Sequence, residues 1–577
     1  MLVGCPEHVK GEPLVEWPDS QTQGRTRILT GCPLLPPVVT LYFIRIHGAD
    51  KLKNRQLALG VAVLAAGSLT GGIFGPRLDA AADRSNDRLK TFSQILGIIQ
   101  DQYVEEVSPE VAIEGAIDGM LKTLDPHTHY LNTTEYQDMM EEQHGSFSGL
   151  GIVISKPTLD KPLTVIAPIE GTPAYRAGIR PGDIISQIEG VDTLDISVDQ
   201  ALKKLRGPKG TQVNITVVRP GEDDVLHFTI TRDDIPTRSV QYAFMIRPEV
   251  GFIKVSNFTQ TTDRELEEKL QVLKNAGMNR LILDLRGNPG GLLEQAVRMA
   301  DKFLSRGQVV VYTRGRTKGS DQEYTASGAG THIDFPVVVL VNKYSASASE
   351  IVAGALQDHD RALIVGKTTW GKGLVQTVYP LSHRSALALT TAHYYTPSGR
   401  LIQRDYQSLE DYFYLSKEED EETPVNHEIR KTDSGRVVYG GGGITPDILV
   451  DTIQVDKFLR QLENEQTFFG FAVQFNLRHK ELDKTFTVDD ATLNDFRTYL
   501  TQRKIEFADE DVTKHEAYIR ASIRKEVFSA RWGNEEGFRV FADIDPQIQK
   551  ALEGFPQAQQ LAHLSEESST SEGDKEP

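Results

Sequence analysis

Between residues 250 and 450 the chain alternates short apolar runs with helical patterns. The runs are VGFIKVSNF (250–258), RLILDLRG (280–287), PVVVLVN (336–342) and RALIVG (361–366). A run with so few polar positions has no side to turn to water, so its strand is buried on both faces. Helical stretches separate the runs: TDRELEEKLQVLKNAG (262–277), LLEQAVRMADKFL (292–304) and SASEIVAGALQD (347–358). This order predicts a layered α/β core over residues 234–450. An acidic insert at 408–428 interrupts it, where Lys417 to Glu422 cannot be buried unpaired.

The flanking regions differ in character. Phe92, Ile95, Leu96 and Ile99 recur at helical spacing, and a second helix is predicted from Pro109 to Leu124, giving an N-terminal helical region over 83–144. Residues 145–233 read as short alternating strands, Gly/Pro turns and two short helices, which fits one small β-rich domain. Residues 451–563 carry amphipathic helical stretches, and the tail 564–577 is expected to be disordered. The four glycines 440–443 lack a following Lys-Ser/Thr helix and read as a flexible turn rather than a phosphate cradle.

Lys51, Lys53 and Arg55 precede an uncharged run from Gln56 to Pro76. A basic flank before such a run predicts a secretory signal or signal anchor over 51–82. The protein is therefore expected in the cell envelope or periplasm, exported or membrane-anchored through residues 56–76. Ala80, Ala81 and Ala82 offer a small-residue cleavage site, so cleaved and anchored forms both stay open. Residues 1–50 form a poorly defined, Pro-rich extension, either an over-long translation start or a cytoplasmic stub.

The chain has 577 residues and a net charge of −18, which argues against nucleic acid as a partner. Its two cysteines, Cys5 and Cys32, both precede the apolar segment. The body therefore has no thiol nucleophile, no cysteine zinc site and no disulfide framework. His127 and His129 lie two apart, but no HExxH helix accompanies them, and they read as structural.

Three serines, Ser345, Ser347 and Ser349, then stand at alternate positions before an apolar helix face of Ile351, Val352, Ala355 and Leu356. A hydroxyl at a helix start sits at the positive end of the helix dipole, beside free backbone N–H groups suited to an oxyanion. A serine needs a base. No GxSxG elbow is present, and Lys372 of the GKG stretch is the candidate. A lysine acts as a base only when neutral, and apolar Trp370, Leu374 and Val375 fit its desolvation. Gln376, four residues on, shares a face with it in a strand or a helix and is able to hold the amine without adding charge. The local pattern leaves helix capping open for the serines and a plain turn open for Gly-Lys-Gly.

The motifs LDPHTHYL, GLGI, AGIRPGDII, LRGPKGT, LILDLRGNPGG, SASASEIVAGALQD and GKTTWGKGLVQ, in this order, resemble the carboxyl-terminal processing peptidases, the tail-specific serine–lysine proteases of family S41. The resemblance covers roughly residues 88 to 450. It implies a multidomain α/β protein: a crotonase-like α/β/α protease core with an inserted PDZ domain, N-terminal helices and a C-terminal helical region. It implies a serine endopeptidase with Ser347 as nucleophile, Lys372 as base and Gln376 orienting the lysine. The oxyanion hole would use the N–H groups of Ala348 and Gly291. Gly149, Leu150, Gly151 and Ile152 would form the PDZ loop that binds a substrate's C-terminal carboxylate. Arg206 would couple PDZ occupancy to activation, a solvated helix-end charge being the equal alternative. Peptides with free C-termini are the implied partners, a homodimer is suggested, and no metal or organic cofactor is implied. Two alternatives come from other classes, a PDZ scaffold with a decayed protease domain and a thioester acyl-transfer enzyme. Ser347 and Lys372 speak against the first, and the export signal and PDZ domain against the second.

Overall fold

The structure is a computed structural model that describes residues 2–3, 87–328, 332–405 and 428–573. The expected signal or anchor segment 51–82, nearly all of the extension 1–50 and the acidic insert up to residue 427 lie outside the described residues. Among the described residues, no helix is long and apolar enough to cross a membrane.

The chain divides into two compact units. In the smaller, residues 6–120, the described part is helix α1 (87–102) and nearly all of α2 (Pro109–Leu121). The face of α1 that carries Phe92, Ile95 and Ile99 is exposed. Residues from 121 onward belong to the larger unit.

There, β1 (His129–Leu131) leads into α3 (Thr133–His144). Asn132 caps this helix by accepting from the Thr134 and Glu135 amides, and the Glu135 carboxylate accepts from the Asn132 amide in return. The β-rich domain follows: β2 (Ser146–Gly149), β3 (Ile152–Ser155), β4 (Thr164–Pro168), α4 (Pro173–Ala177), β5 (Ile184–Ile188), α5 (Val198–Leu205), β6 (Gln212–Val218), β7 (Leu226–Thr231) and β8 (Asp233–Pro236). Strands β3-β4-β5-β6-β7 form one antiparallel sheet in that order, with β3 at an edge, and β2 pairs with β8. Leu163, Val165, Ile185, Ile188, Val213, Ile215 and Val217 supply its core.

The α/β core contains β9 (Val240–Arg247), β10 (Val250–Val255), α6 (Thr262–Asn275), β11 (Arg280–Asp284), α7 (Leu293–Asp301), β12 (Val309–Gly315), β13 (Gln322–Thr325), β14 (Val337–Val341), α8 (Ala348–Asp358), β15 (Ala362–Gly366), β16 (Leu374–Pro380), β17 (Ala386–Tyr395) and β18 (Ile448–Leu449). Its main sheet has the order β9-β10-β11-β14-β15-β18, parallel from β10 onward. A second, antiparallel sheet runs β16-β17-β12-β13, with β1 added on β17.

Alternation along the main strands explains the unbroken apolar runs. Leu281, Leu283, Val337, Val339, Val341 and Ile364 face one side, packed with residues of α6, α7 and α8. Ile282, Val338, Leu340, Leu363 and Val365 face the other. That second face is covered from far along the chain. Ile548 and Ala551 of α15 (Pro546–Glu553) and Phe555, Ala558 and Leu561 of α16 (Phe555–Gly573) lie on it, and Phe538 stacks on Tyr242 and packs at a tilt against Phe252.

The helical region 451–563 therefore has two parts. Helices between Lys457 and Trp532 build a separate core around Phe468, Phe471, Phe475, Phe496 and Phe528. The last two helices belong to the protease sheet. The tail expected to be disordered from 564 continues α16 as far as Gly573. Its start is anchored by buried Phe555, Ala558 and Leu561, and no Pro or Gly interrupts residues 557–572, so helix propagates from that anchor.

Phe555→Ala should destabilise the protein by about 3–5 kcal/mol, the usual cost of emptying a buried aromatic site. The check is the urea midpoint followed by near-UV circular dichroism; an unchanged midpoint would mean that α16 adds nothing to the core.

Candidate active site

The loop between β14 and α8 delivers Ser347. Asn342, just past the strand, accepts from the Gly287 and Tyr344 amides and so turns the chain. Ser345 Oγ donates to the Leu285 carbonyl at 2.8 Å, and Ser349 Oγ to the Asn288 carbonyl at 3.0 Å. The Ala346 amide also donates to Asn288 O. Two of the three alternating serines thus staple the 342–349 loop to the 285–291 loop. The third is different. Ser347 is 1 % exposed, and its hydroxyl has no hydrogen-bond partner among the described residues. It caps nothing, which removes the helix-cap reading for its side chain. Its backbone sits at φ 58° and ψ −113°, a left-handed conformation unusual for serine.

Glu350 holds this strained residue. The side chain is fully buried at the third position of α8. Its Oε2 accepts the Ser347 amide at 2.7 Å and the Lys372 amide at 2.9 Å. Its Oε1 accepts the Gly371 amide at 2.7 Å and the Thr369 hydroxyl at 2.5 Å. Burial pushes its pKa up, and these four donors work against that push. On the other side, the Tyr394 hydroxyl of β17 reaches both the Ser347 carbonyl, at 3.1 Å, and the Lys372 carbonyl. One carboxylate and one phenol therefore clamp the two backbones together.

Lys372 lies in the loop before β16, not on the strand, and Gln376 is on the strand beside an irregularity in the β16–β17 register. Lys372 Nζ donates to Gln376 Oε1 at 2.9 Å. Burial lowers the lysine pKa, and the charges of Glu350 and Asp125 oppose part of that effect. The direct hydrogen bond from Ser347 to Lys372 is not formed in this structure. Lys372 Nζ bonds Gln376 instead and the Ser347 hydroxyl bonds no described residue, while the two backbones share Glu350.

The glycines of the 285–291 loop lie under the nucleophile. A Cβ on Gly290 would fall 2.8 Å from Ser347 Cβ, and one on Gly291 would fall 2.2 Å from Phe258 O, so neither position admits a side chain. The Gly290 amide is taken by Asn288 Oδ1 at 2.9 Å. The amides of Gly291 and Ala348, the two predicted for the oxyanion, have no backbone or side-chain acceptor among the described residues.

The predicted carboxylate loop lies in the β-rich domain. Gly149 ends β2, Leu150 is buried, Gly151 has φ 77° and Ile152 begins β3. Leu150 O accepts from the Ala174 amide, and Gly151 O from the Ile169 amide, which ties the loop to α4. A Cβ on Gly151 would fall 2.4 Å from Thr172. Arg206 follows α5, stacks 4.8 Å from the Phe147 ring centroid and approaches Asp138 of α3 at 3.9 Å. That ion pair is exposed and weak.

Sequence reasoning missed Glu350, Tyr394 and the contact that the LDPH turn makes with Gln376. Glu350 carried a readable signal, because Ser347-x-x-Glu350 is a capping-box spacing. The turn matters because Gln376 Nε2 donates to the His127 carbonyl. His127 and His129 bond to each other through ring and carbonyl, and no group of three or more metal-ligating side chains occurs among the described residues.

Comparison with known proteins agrees along the chain. Residues 249–408 match peptidase family S41, 164–219 a PDZ domain, 76–135 the activating protease CtpB N-terminal domain, and 458–510 the probable PDZ-protease C-terminal helical domain. A carboxy-terminal-processing protease of Bartonella bacilliformis is 40% identical over 55% of this chain and 73% of its own. A carboxyl-terminal-processing protease of Synechocystis is 41% identical over 50% of this chain and 68% of its own. A solved photosystem II D1 C-terminal processing protease is 26% identical, covering 62% of this chain and 86% of its own at a TM-score of 0.34. On the two sequence relatives, of Bartonella bacilliformis and Synechocystis, and the matched family models, the chain belongs to the carboxy-terminal-processing proteases, the PDZ-bearing serine peptidases of family S41.

Proposed function

We propose that Ser347 is the nucleophile of this protease, Lys372 its general base and Gln376 the group that orients the lysine. The observation that carries this reading is a single oxygen atom: Glu350 Oε2 accepts from the amides of both Ser347 and Lys372, beside a serine hydroxyl that bonds nothing. In the reaction Ser347 Oγ attacks the scissile carbonyl carbon, and its proton passes to neutral Lys372 Nζ. The lysine returns that proton to the departing amine. Water then attacks the acyl ester, gives a proton to the same lysine and restores the serine. The amine rests on Gln376, so transfer asks only that the flexible end of Lys372 move while its backbone stays clamped. The unengaged amides of Ala348 and Gly291 stabilise the tetrahedral oxyanion.

The substrate is a protein with a free C-terminus, and cleavage falls near that end. The Gly149–Ile152 loop takes the terminal carboxylate on its amides, and the peptide adds as a strand along the open edge of β3. Arg206, lying between α5, Phe147 and Asp138, passes occupancy of that groove toward α3. The basic flank and uncharged run at 51–76 support export to the cell envelope, with or without retention as a membrane anchor. The exposed apolar face of α1 supports a homodimer through the N-terminal helices.

Ser347→Ala and Lys372→Ala should each reduce cleavage of an unstructured peptide by at least about 10⁴-fold with unchanged thermal unfolding; substantial activity in either variant would remove the pair. The base must be neutral, and burial lowers the lysine pKa. The rate constant kcat/KM should therefore rise with pH and level off below the ordinary lysine value of about 10.4. A limb at that ordinary value would remove the desolvated base. Amidating the substrate C-terminus should raise KM and slow cleavage; equal rates would exclude carboxylate capture.

A further inference from the structure

The LDPH turn reaches the catalytic lysine through one amide. Asp125 Oδ1 accepts the His127 amide at 2.7 Å, the Thr128 amide at 2.9 Å and the Thr390 hydroxyl at 3.2 Å. Its Oδ2 accepts the Thr128 hydroxyl at 2.7 Å. The Thr390 amide donates to Thr128 Oγ1 at 3.1 Å. Thr390 is the cross-strand partner of Gln376 in the β16–β17 ladder. Asp125 thus fastens the turn to the residue directly opposite Gln376, and the turn aims the His127 carbonyl at Gln376 Nε2.

A side-chain amide has a donor end and an acceptor end of nearly the same shape. Which end faces a neighbour is decided by its other partner. A backbone carbonyl only accepts, so the His127 carbonyl claims the NH₂ end and turns Oε1 toward Lys372 Nζ. Without that carbonyl the amide is free to rotate by half a turn, and donors would then face the lysine's own N–H groups. We propose that Asp125 is a positioning residue of the proteolytic reaction: it shapes the 125–128 turn so that the His127 carbonyl sets the orientation of the Gln376 amide, and the amide in turn aims the Lys372 amine.

The surroundings of the lysine fit this role. Around it stand Glu350 from α8, Tyr394 from β17, Gln376 from β16, and Asp125 and His127 from the turn. Burial first, and the lysine charge second, drive the His127 pKa down to about 3, so this ring adds no positive charge beside the amine at working pH. Burial opposes ionisation of Asp125, yet the bonds from Thr128, His127 and Thr390 outweigh it and hold its pKa below the usual carboxylate value. The turn therefore brings a fixed negative charge that favours the ammonium form, and removing that charge lowers the lysine pKa further.

The inference rests on Lys372 acting as the base. The test uses the full chain and an unstructured peptide with an apolar, free C-terminus. Kinetics are measured across pH for wild type, Asp125→Ala, Asp125→Asn and Lys372→Ala. Asp125→Ala should lose about 10²-fold in kcat, the scale of a misplaced catalytic group, with KM within about twofold of wild type and the acid limb of kcat/KM moved to lower pH. Asp125→Asn keeps an acceptor oxygen for the His127 and Thr128 amides. It should recover most of the lost kcat while its acid limb stays displaced, because the charge is gone. Wild-type kcat in Asp125→Ala overturns the proposal, and so does an unmoved acid limb in Asp125→Asn, which would leave only a structural role. If Asp125→Ala does not fold, the Asn variant alone decides by its acid limb. Activity in Lys372→Ala would instead overturn the base on which the inference stands, so the two failures are told apart.

Discussion

Ser347 comes from the loop between β14 and α8 and Lys372 from the loop before β16, and the Glu350 carboxylate is what joins them. Each of its oxygens accepts two donors, and the four donors come from Ser347, Thr369, Gly371 and Lys372. Burying a carboxylate is costly unless its hydrogen-bonding capacity is met. Here it is met by the backbone segments that a serine–lysine enzyme must hold in register. The same contact restrains the strained Ser347 backbone, a conformation that costs on the order of 1–3 kcal/mol and persists only when its surroundings over-determine it. Strain, burial and proton transfer are thus linked through one side chain that touches no substrate.

Everything around that contact keeps its parts rigid. Ser345 and Ser349 tie the nucleophile loop to the glycine loop, and Gly290 lets the two approach to a distance that a Cβ would forbid. Tyr394 joins the serine and lysine carbonyls from the second sheet. The lysine side chain is the mobile element by comparison, its amine resting on Gln376. A site with fixed backbones and one movable amine suits a mechanism in which the same proton travels out and back twice.

The parts legible in the sequence were those written locally. The apolar runs at 280–287, 336–342 and 361–366 named three central strands, because unbroken apolar stretches have one physical reading when helices separate them. Ser347 and Lys372 stood out for their neighbours, a helix start and a pair of glycines. Contacts between distant residues were not legible. Nothing near Pro126 announces that the His127 carbonyl will meet Gln376, since that bond joins chain segments 249 residues apart. The helical reading of 451–563 carried no sign of which apolar surface its last helices would cover. Glu350 lay between these cases: its capping-box spacing was visible, but not its reach to the lysine loop.

The way α15 and α16 cover the protease sheet bears on how the molecule is made. Translation runs from the N-terminus, so Phe252, Ile282 and Leu340 leave the ribosome well before Phe555 and Leu561 that seal them. A nascent protease is thus left with one hydrophobic face of its main sheet open until α15 and α16 have emerged. A fragment that stops before α15 lacks the cover of the sheet that frames its own reactive serine.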